Sequence, residues 1–300
     1  MDTACNLHQS SDDTVPRLPS WVTTASAEAV EDVAFLSGAA LAHLHLVLRC
    51  DGIPHALLRE RLALAAAESC VTFAGRSERA ADLRDAVHLL RPGDLPGPAG
   101  EFYRNWRRAV ERPVAVRTLH RAMSGHAARQ IATWLDGRDP REVGQGGPVG
   151  RAAHVLAAVL TEAPRAEVPA LILADAALAQ AAGWDHLVPL LAIGLTRADL
   201  RERGDDLRLA CHRAVTASVI GAVRLAADLA RRTAHLNGVA PKLRAKGAAK
   251  AVEMFLTQDV VAPAALPLPD RAARRLCDRL VALGAIRELT GRDTFRLYGV

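Results

Sequence analysis

The sequence predicts a mainly α-helical protein: an antiparallel helical bundle body followed by a C-terminal winged helix-turn-helix with a two-stranded β-wing. Three observations predict it. Half of the 300 residues are hydrophobic, yet only 4% are aromatic, and alanine alone is roughly a fifth of the chain. That composition favours helices, whereas sandwiches and barrels draw on Val, Ile, Thr, Tyr and Phe. Apolar residues recur at helical spacing between short breaks rich in Gly and Pro. Only the last sixteen residues, AIRELTGRDTFRLYGV, read as strand, turn and strand. A mean hydropathy of +0.07 with 24% charged residues argues against a disordered chain. No uncharged apolar run reaches about 18 residues, so no membrane span is expected.

The elements follow in order. Residues 1–23 are polar and proline-containing, with neither the basic nor the apolar region of a secretory signal, and are expected to form a flexible leader. An α-helical domain is expected over 24–240, with a subdivision near 137–148. Its first helix covers 24–49, capped by Ser26, with Val30, Val33, Ala34, Leu41, Leu44 and Leu48 inward, and ends at Cys50-Asp51-Gly52. A second runs from Pro54 to Phe73 with Gly75 as its stop, and a third from Ser77 to about Leu90. After the break RPGDLPGP, helices are expected over 99–111, 113–123 and 126–136, then 149–161, 166–182 and 188–195. A long helix spans 206–236, with Leu207, Ala210, Ala214, Ala217, Ile220, Leu225 and Leu229 toward the core. Small residues allow these helices to approach closely as antiparallel hairpins.

Residues 241–300 form the third region. Lys242, Lys246 and Lys250 are four apart, which on one helix would put them on one face. After Pro267-Leu268-Pro269, Asp270 caps a helix that stops at Gly284. Ala273, Leu276, Leu280 and Leu283 form its buried stripe, leaving Arg271, Arg274, Arg275 and Arg279 outside. If Gly291-Arg292 is a two-residue turn, Ile286 pairs with Leu297, Glu288 with Phe295 and Arg287 with Arg296, with Tyr298 on the arginine side and Arg292 at the tip. Like charges placed opposite one another are unfavourable, and an anion lying over them would relieve the pair.

Charge is concentrated in this region. From Lys242 to Val300 there are eleven basic and six acidic residues, whereas the preceding 241 residues are balanced at twenty-seven of each. A neutral body with a basic end is the pattern expected of one module that meets a polyanion. Double-stranded DNA is the expected partner, contacted by Arg271, Arg274, Arg275 and Arg279 from the helix, Arg287, Arg292 and Arg296 from the wing, and Lys242, Lys246 and Lys250. The alternative is a helical adaptor whose winged helix docks a protein; Asp278, one turn from Arg274 and Arg275, favours it by offering i,i+4 pairs. A protein partner or a second copy would then meet the helical body.

No catalytic residue, cofactor or metal site is expected. GxxxxGK[ST], GxGxxG after a strand, HExxH and GxSxG are all missing. His43 and His45 are two apart and point to different faces of a helix. His126-Ala-Ala-Arg129 with Tyr298 matches a tyrosine-recombinase fragment without its framework. Asp82 and Asp85, alternating with Arg79 and Arg84, read as a solvated face. Trp21, Trp106, Trp134 and Trp184 read as core anchors, and Tyr103 and Trp106 lie on an amphipathic helix with an arginine face. Five scattered cysteines form no CxxC, which points to a reduced, cytoplasmic setting.

PRLPSWVT, RPGDLPGPAG, APKLRAKGA and RAARRLCDRLVALGAIRELTGRDTFRLYGV together resemble the bacterial domain-of-unknown-function family numbered 1403 over nearly the whole chain. The resemblance implies an alphaproteobacterial protein of plasmids or genomic islands, with a regulatory or plasmid-maintenance role, and no catalytic residue. The segment LGAIRELTGRDTFRLYGV is also similar to the C-terminal winged helix attached to Fic-type proteins, but the HPFxxGNGR-like loop of adenylyl transfer is missing.

Overall fold

The computed structural model describes residues 15–24, 27–91, 93–123, 147–244 and 246–300. Among them are twelve α-helices: α1 (Ser20–Thr23), α2 (Val30–Val47), α3 (His55–Phe73), α4 (Ala80–His88), α5 (Gly97–Glu111), α6 (Val116–Ala122), α7 (Pro148–Glu162), α8 (Glu167–Ala181), α9 (Leu191–Gly194), α10 (Gly204–Val239), α11 (Ala248–Thr257) and α12 (Asp270–Ala282). Strands β1 (Arg287–Glu288) and β2 (Tyr298–Gly299) pair antiparallel near the C-terminal end. The expected Ser26 cap, the 126–136 helix, His126 and Trp134 lie outside the described residues, as does most of 137–148.

Three helix pairs build the body. α7 packs on α8, α2 on α10 and α3 on α5. The close approach of α9 to α10 depends on Gly194, where a Cβ would lie 2.4 Å from the Ala214 carbonyl oxygen. Two buried polar side chains secure this crossing. Asp175 accepts the Leu190 and Leu191 amides at 3.1 and 2.9 Å, which serves the free N–H groups at the start of α9. Ser218 donates to the Leu190 carbonyl at 2.8 Å. The Asp175 carboxyl is pushed up to about 7 because burial outweighs those backbone hydrogen bonds.

Several expectations are corrected here. Residues 15–23 touch the body at a few points and are otherwise mostly exposed: Val15 and Val22 are buried, and His43 Nε2 donates to the Pro16 carbonyl at 2.9 Å. The buried stripe of α10 runs through Leu207, Cys211, Ala214, Val215, Ser218, Val219, Ala222, Val223, Ala226 and Leu229, so Ala217 is exposed and Ala210, Ile220 and Leu225 are half-buried. Trp106 is a core anchor, but Trp21 is 48% exposed and stacks on Phe35 with ring centroids 5.5 Å apart. Val30–Val47 and a window within Gly204–Lys242 have, by length and composition only, what a membrane span requires, although Val30–Val47 carries Glu31 and Asp32 and is not an uncharged run; both windows are partly buried, and α2 and α10 pack on each other.

The tail is not set apart from the body. A single hydrophobic cluster extends from Val15 to Val300 and takes in Phe255, Leu276 and Tyr298. β2 lies between two neighbours, because Val261 exchanges 2.8 and 3.0 Å backbone hydrogen bonds with Tyr298 on the side away from β1.

Candidate nucleic-acid interface

Helix α12 is strongly amphipathic. Ala273, Leu276, Cys277 and Leu280 are buried. Cys277 takes the place expected of Leu283, which is partly exposed at the helix end. Asp270 is the first helical residue and not the cap; Pro269 precedes it, and the carboxylate sits where the helix dipole favours negative charge. The helix closes in a Schellman motif, with Gly284 at φ +66° and the Ala285 amide donating to Leu280 at 2.9 Å. His235 of α10 donates to the Leu283 carbonyl at 2.9 Å and fastens this end to the body.

Arg271, Arg274, Arg275 and Arg279 are all exposed. At 100° per residue they cover an arc of about 140° and a length of about 12 Å. None has a carboxylate within 4 Å among the described residues, and Asp278, in the middle of the same arc, pairs with none of them. The expected Asp278 pairing with Arg274 and Arg275 is therefore not formed.

The three lysines do not share a helical face. α10 ends at Val239, Pro241 stops it, and Lys242 closes a 3-10 turn, Ala240–Lys242. Lys246 lies in the turn before Gly247. Gly247 has φ +95°, and a Cβ there would lie 2.9 Å from the Pro267 carbonyl oxygen. Lys250, on α11, is paired with Glu253 at 2.9 Å.

The hairpin register differs by three residues from the expected one. Arg287 faces Gly299 and Glu288 faces Tyr298. Glu288 causes the difference, because its carboxylate turns back into the loop. It accepts the Thr290 amide at 2.7 Å and the Gly291 amide at 2.9 Å, and also the Thr290 hydroxyl. The connection is thus a broad loop with Gly291 at φ +64° and Phe295 at φ +54°, not a two-residue turn. Arg287 and Arg296 are not opposite each other, and Tyr298 is buried, so the ladder does not set these like charges face to face. Arg287 is exposed. Arg296 donates to the Arg292 carbonyl at 2.9 Å and approaches Asp293 at 3.5 Å. Arg292, expected at the tip, is bound to Asp85 of α4 by two 2.7 Å hydrogen bonds and donates to Phe295 O at 3.0 Å. It fastens the loop to the body instead of facing outward.

Sequence reasoning missed the joint beneath this tail. Asp259, just after α11, is fully buried. Arg84 of α4 donates to both of its oxygens, at 2.7 and 3.0 Å. Arg61 Nε of α3 lies 2.7 Å from Oδ1, off the line of a directed hydrogen bond. Another Arg61 nitrogen donates to the Val300 main-chain oxygen at 3.0 Å, and Tyr103 donates weakly to Asp259 at 3.4 Å. Burial pushes the Asp259 carboxyl up, but the Arg84 hydrogen bonds and the charges of Arg61 and Arg84 outweigh it and hold the group below its usual value. Burial lowers Arg61 in spite of Asp259, yet an arginine keeps its proton in a protein, so the pairing is expressed on the carboxylate. Nearby His88 is pushed down to about 4, first by burial and then by Arg107 and Arg84. The arrangement joins three helices to the tail and is largely shielded from solvent. Asp85 and Arg84 are thus tethers of the tail, and not the solvated face expected of them. The available signal was Asp259 itself, a lone acid beside the apolar pair Val260-Val261.

The fold is a mainly α-helical body that carries an arginine-faced helix and a short antiparallel hairpin at one end. The chain belongs to the family described as Protein of unknown function (DUF1403), whose model matches residues 6–300. No curated protein matches the chain.

Proposed function

We propose that the protein binds duplex DNA through α12, in the manner of a winged helix-turn-helix, with Arg271, Arg274, Arg275 and Arg279 as its principal contacts. The observation that carries this reading is the exposed arc of four arginines with no carboxylate partner among the described residues. Guanidinium groups on one helix face suit phosphate and base-edge contacts alike. Arg287 and Arg296 extend the basic surface, while Arg292 acts as a structural tether. A regulatory or plasmid-maintenance role follows from the family resemblance alone, and a cytoplasmic setting from the scattered cysteines.

Fluorescence anisotropy against duplex and single-stranded DNA tests the reading. With about four to five phosphates neutralised, log K against log salt has a slope of roughly −4 for duplex. Arg274→Glu with Arg275→Glu weakens duplex binding while the melting temperature is kept. A folded double variant with the wild-type affinity and slope refutes the assignment.

A second reading, docking of a protein partner, has its own observation. Phe295 on the hairpin loop is 71% exposed, and Phe35 on α2 is 65% exposed in its stack with Trp21. A stoichiometric partner lost on Phe295→Ser, together with no duplex binding at low salt, would favour it.

A further inference from the structure

We infer that the cleft between the end of α2, the start of α3 and the segment after α8 binds a small organic anion, with its carboxylate or phosphate head on Arg59 and its apolar body against Trp184. The cleft has a volume of about 510 Å³, within the range of small-molecule sites. Its polar lining is His45 and Arg49 from α2, His55 and Arg59 from α3, and Asp185 and His186 from the segment after α8. Trp184, Leu48 and Val188 supply the apolar part.

Arg59 determines the class of ligand. Its Nε donates to the Val110 carbonyl at 3.1 Å, which fixes the plane of the guanidinium. No carboxylate lies within 4 Å of it among the described residues. Burial weighs against its charge, and the neighbouring Glu60 offsets this only in part. A half-buried fork with unused donors fits a planar carboxylate or a phosphate bidentately, where a lysine would offer only a point charge.

The remaining groups are arranged around this fork. Trp184 Nε1 donates to His45 Nδ1 at 3.1 Å, so the indole is held in place and a neutral His45 carries its proton on Nε2. His55 Nε2 donates to the Cys50 carbonyl at 3.1 Å, which leaves Nδ1 free to receive a proton. The Asp185 main-chain oxygen accepts the Val114 amide at 2.8 Å and anchors the third wall. Burial lowers both His55 and His186; at His55 the Cys50 hydrogen bond opposes it and the Arg59 charge adds to it, and at His186 the Arg59 charge is the next cause, while Asp51 and Asp185 act in the opposite sense. An anion on Arg59 removes part of that pressure, so binding is accompanied by proton uptake and tightens as pH falls. Three histidines do not make this a metal site: among the described residues no group is arranged to hold a metal ion.

Isothermal titration of the full chain with benzoate, phenyl phosphate and inorganic phosphate tests the inference. At least one aromatic anion should bind about tenfold more tightly than inorganic phosphate, and the tighter of the two identifies the head group. Benzoate, which does not itself titrate there, should bind about threefold or more tightly at pH 6 than at pH 8. Arg59→Met should weaken binding about tenfold. Arg49→Gln changes an exposed position, keeps the Val110 contact intact and should weaken binding by a smaller factor. No heat from either aromatic anion at about 5 mM, or unchanged affinity in both folded variants, overturns the proposal.

Discussion

Asp259→Asn is the sharpest perturbation of the fold. The wild-type carboxylate is completely buried and receives Arg84 at 2.7 and 3.0 Å and Arg61 at 2.7 Å, and both arginine side chains are only 13% exposed. Replacing it by a neutral amide leaves two mostly buried guanidinium groups without a counter-charge. Removing one partner of a buried ion pair costs about 3–5 kcal/mol, a large part of the stability of an ordinary domain. With a urea m value of about 3 kcal/mol/M, the midpoint falls by about 1–1.7 M. The measurement is equilibrium urea unfolding followed by circular dichroism near pH 7. A companion variant separates charge from shape. Arg61→Met, Arg84→Met and Asp259→Leu together remove every charge and should lie much closer to wild type than the single change. The pH dependence has a definite sign. The folded pKa of Asp259 is depressed, so its contribution is fully present above the unfolded value of about 4 and is lost as pH falls through the lower folded value. If Asp259→Asn lies within about 0.5 kcal/mol of wild type, the joint does not hold the tail as described.

Two other predictions concern separate regions. Asp175 has a folded pKa raised to about 7, so its contribution is present below about pH 4 and is lost as pH rises toward 7. Asp175→Asn should therefore flatten the thermal-stability profile between pH 4 and 7, and an unchanged slope would refute this account. The Arg292–Asp85 pair is about one-third exposed on each side, so Arg292→Ala should cost only about 0.5–1 kcal/mol globally. Hydrogen exchange in 289–297 should nevertheless accelerate about fivefold, and unaltered exchange there would show that the tether is idle.

How much of this was legible in the sequence depended on the kind of signal. Pro54 and Gly75 bracket α3 and locate it nearly to the residue, and the Pro269–Gly284 frame did the same for α12. The phase of α10 was misread because alanines occupy every side of it and carry little directional information, and because the buried Ser218 looks polar in a string of letters. The hairpin was recognised but its register was not, since that depends on where one side chain, Glu288, turns. The joint was hidden for another reason. Arg84 and Asp259 are 175 residues apart, and neither has a local partner that marks it as buried. Charged residues on an amphipathic pattern look solvated until a distant segment covers them. The cleft escaped notice in the same way, because His45, Arg59 and Trp184 come from three separate stretches of chain.

Three consecutive residues of α3 are moored to three different places. Arg59 reaches the cleft and the Val110 carbonyl, Glu60 holds Arg107 of α5 at 2.8 Å, and Arg61 grips Asp259 and Val300. At 100° per residue these anchors spread over more than half the circumference of the helix. A roll of α3 about its own axis cannot be absorbed on one side: any movement that slackens one mooring strains the others. This helix is a common axle for the cleft and the arginine-bearing tail, and its angular setting is shared by both.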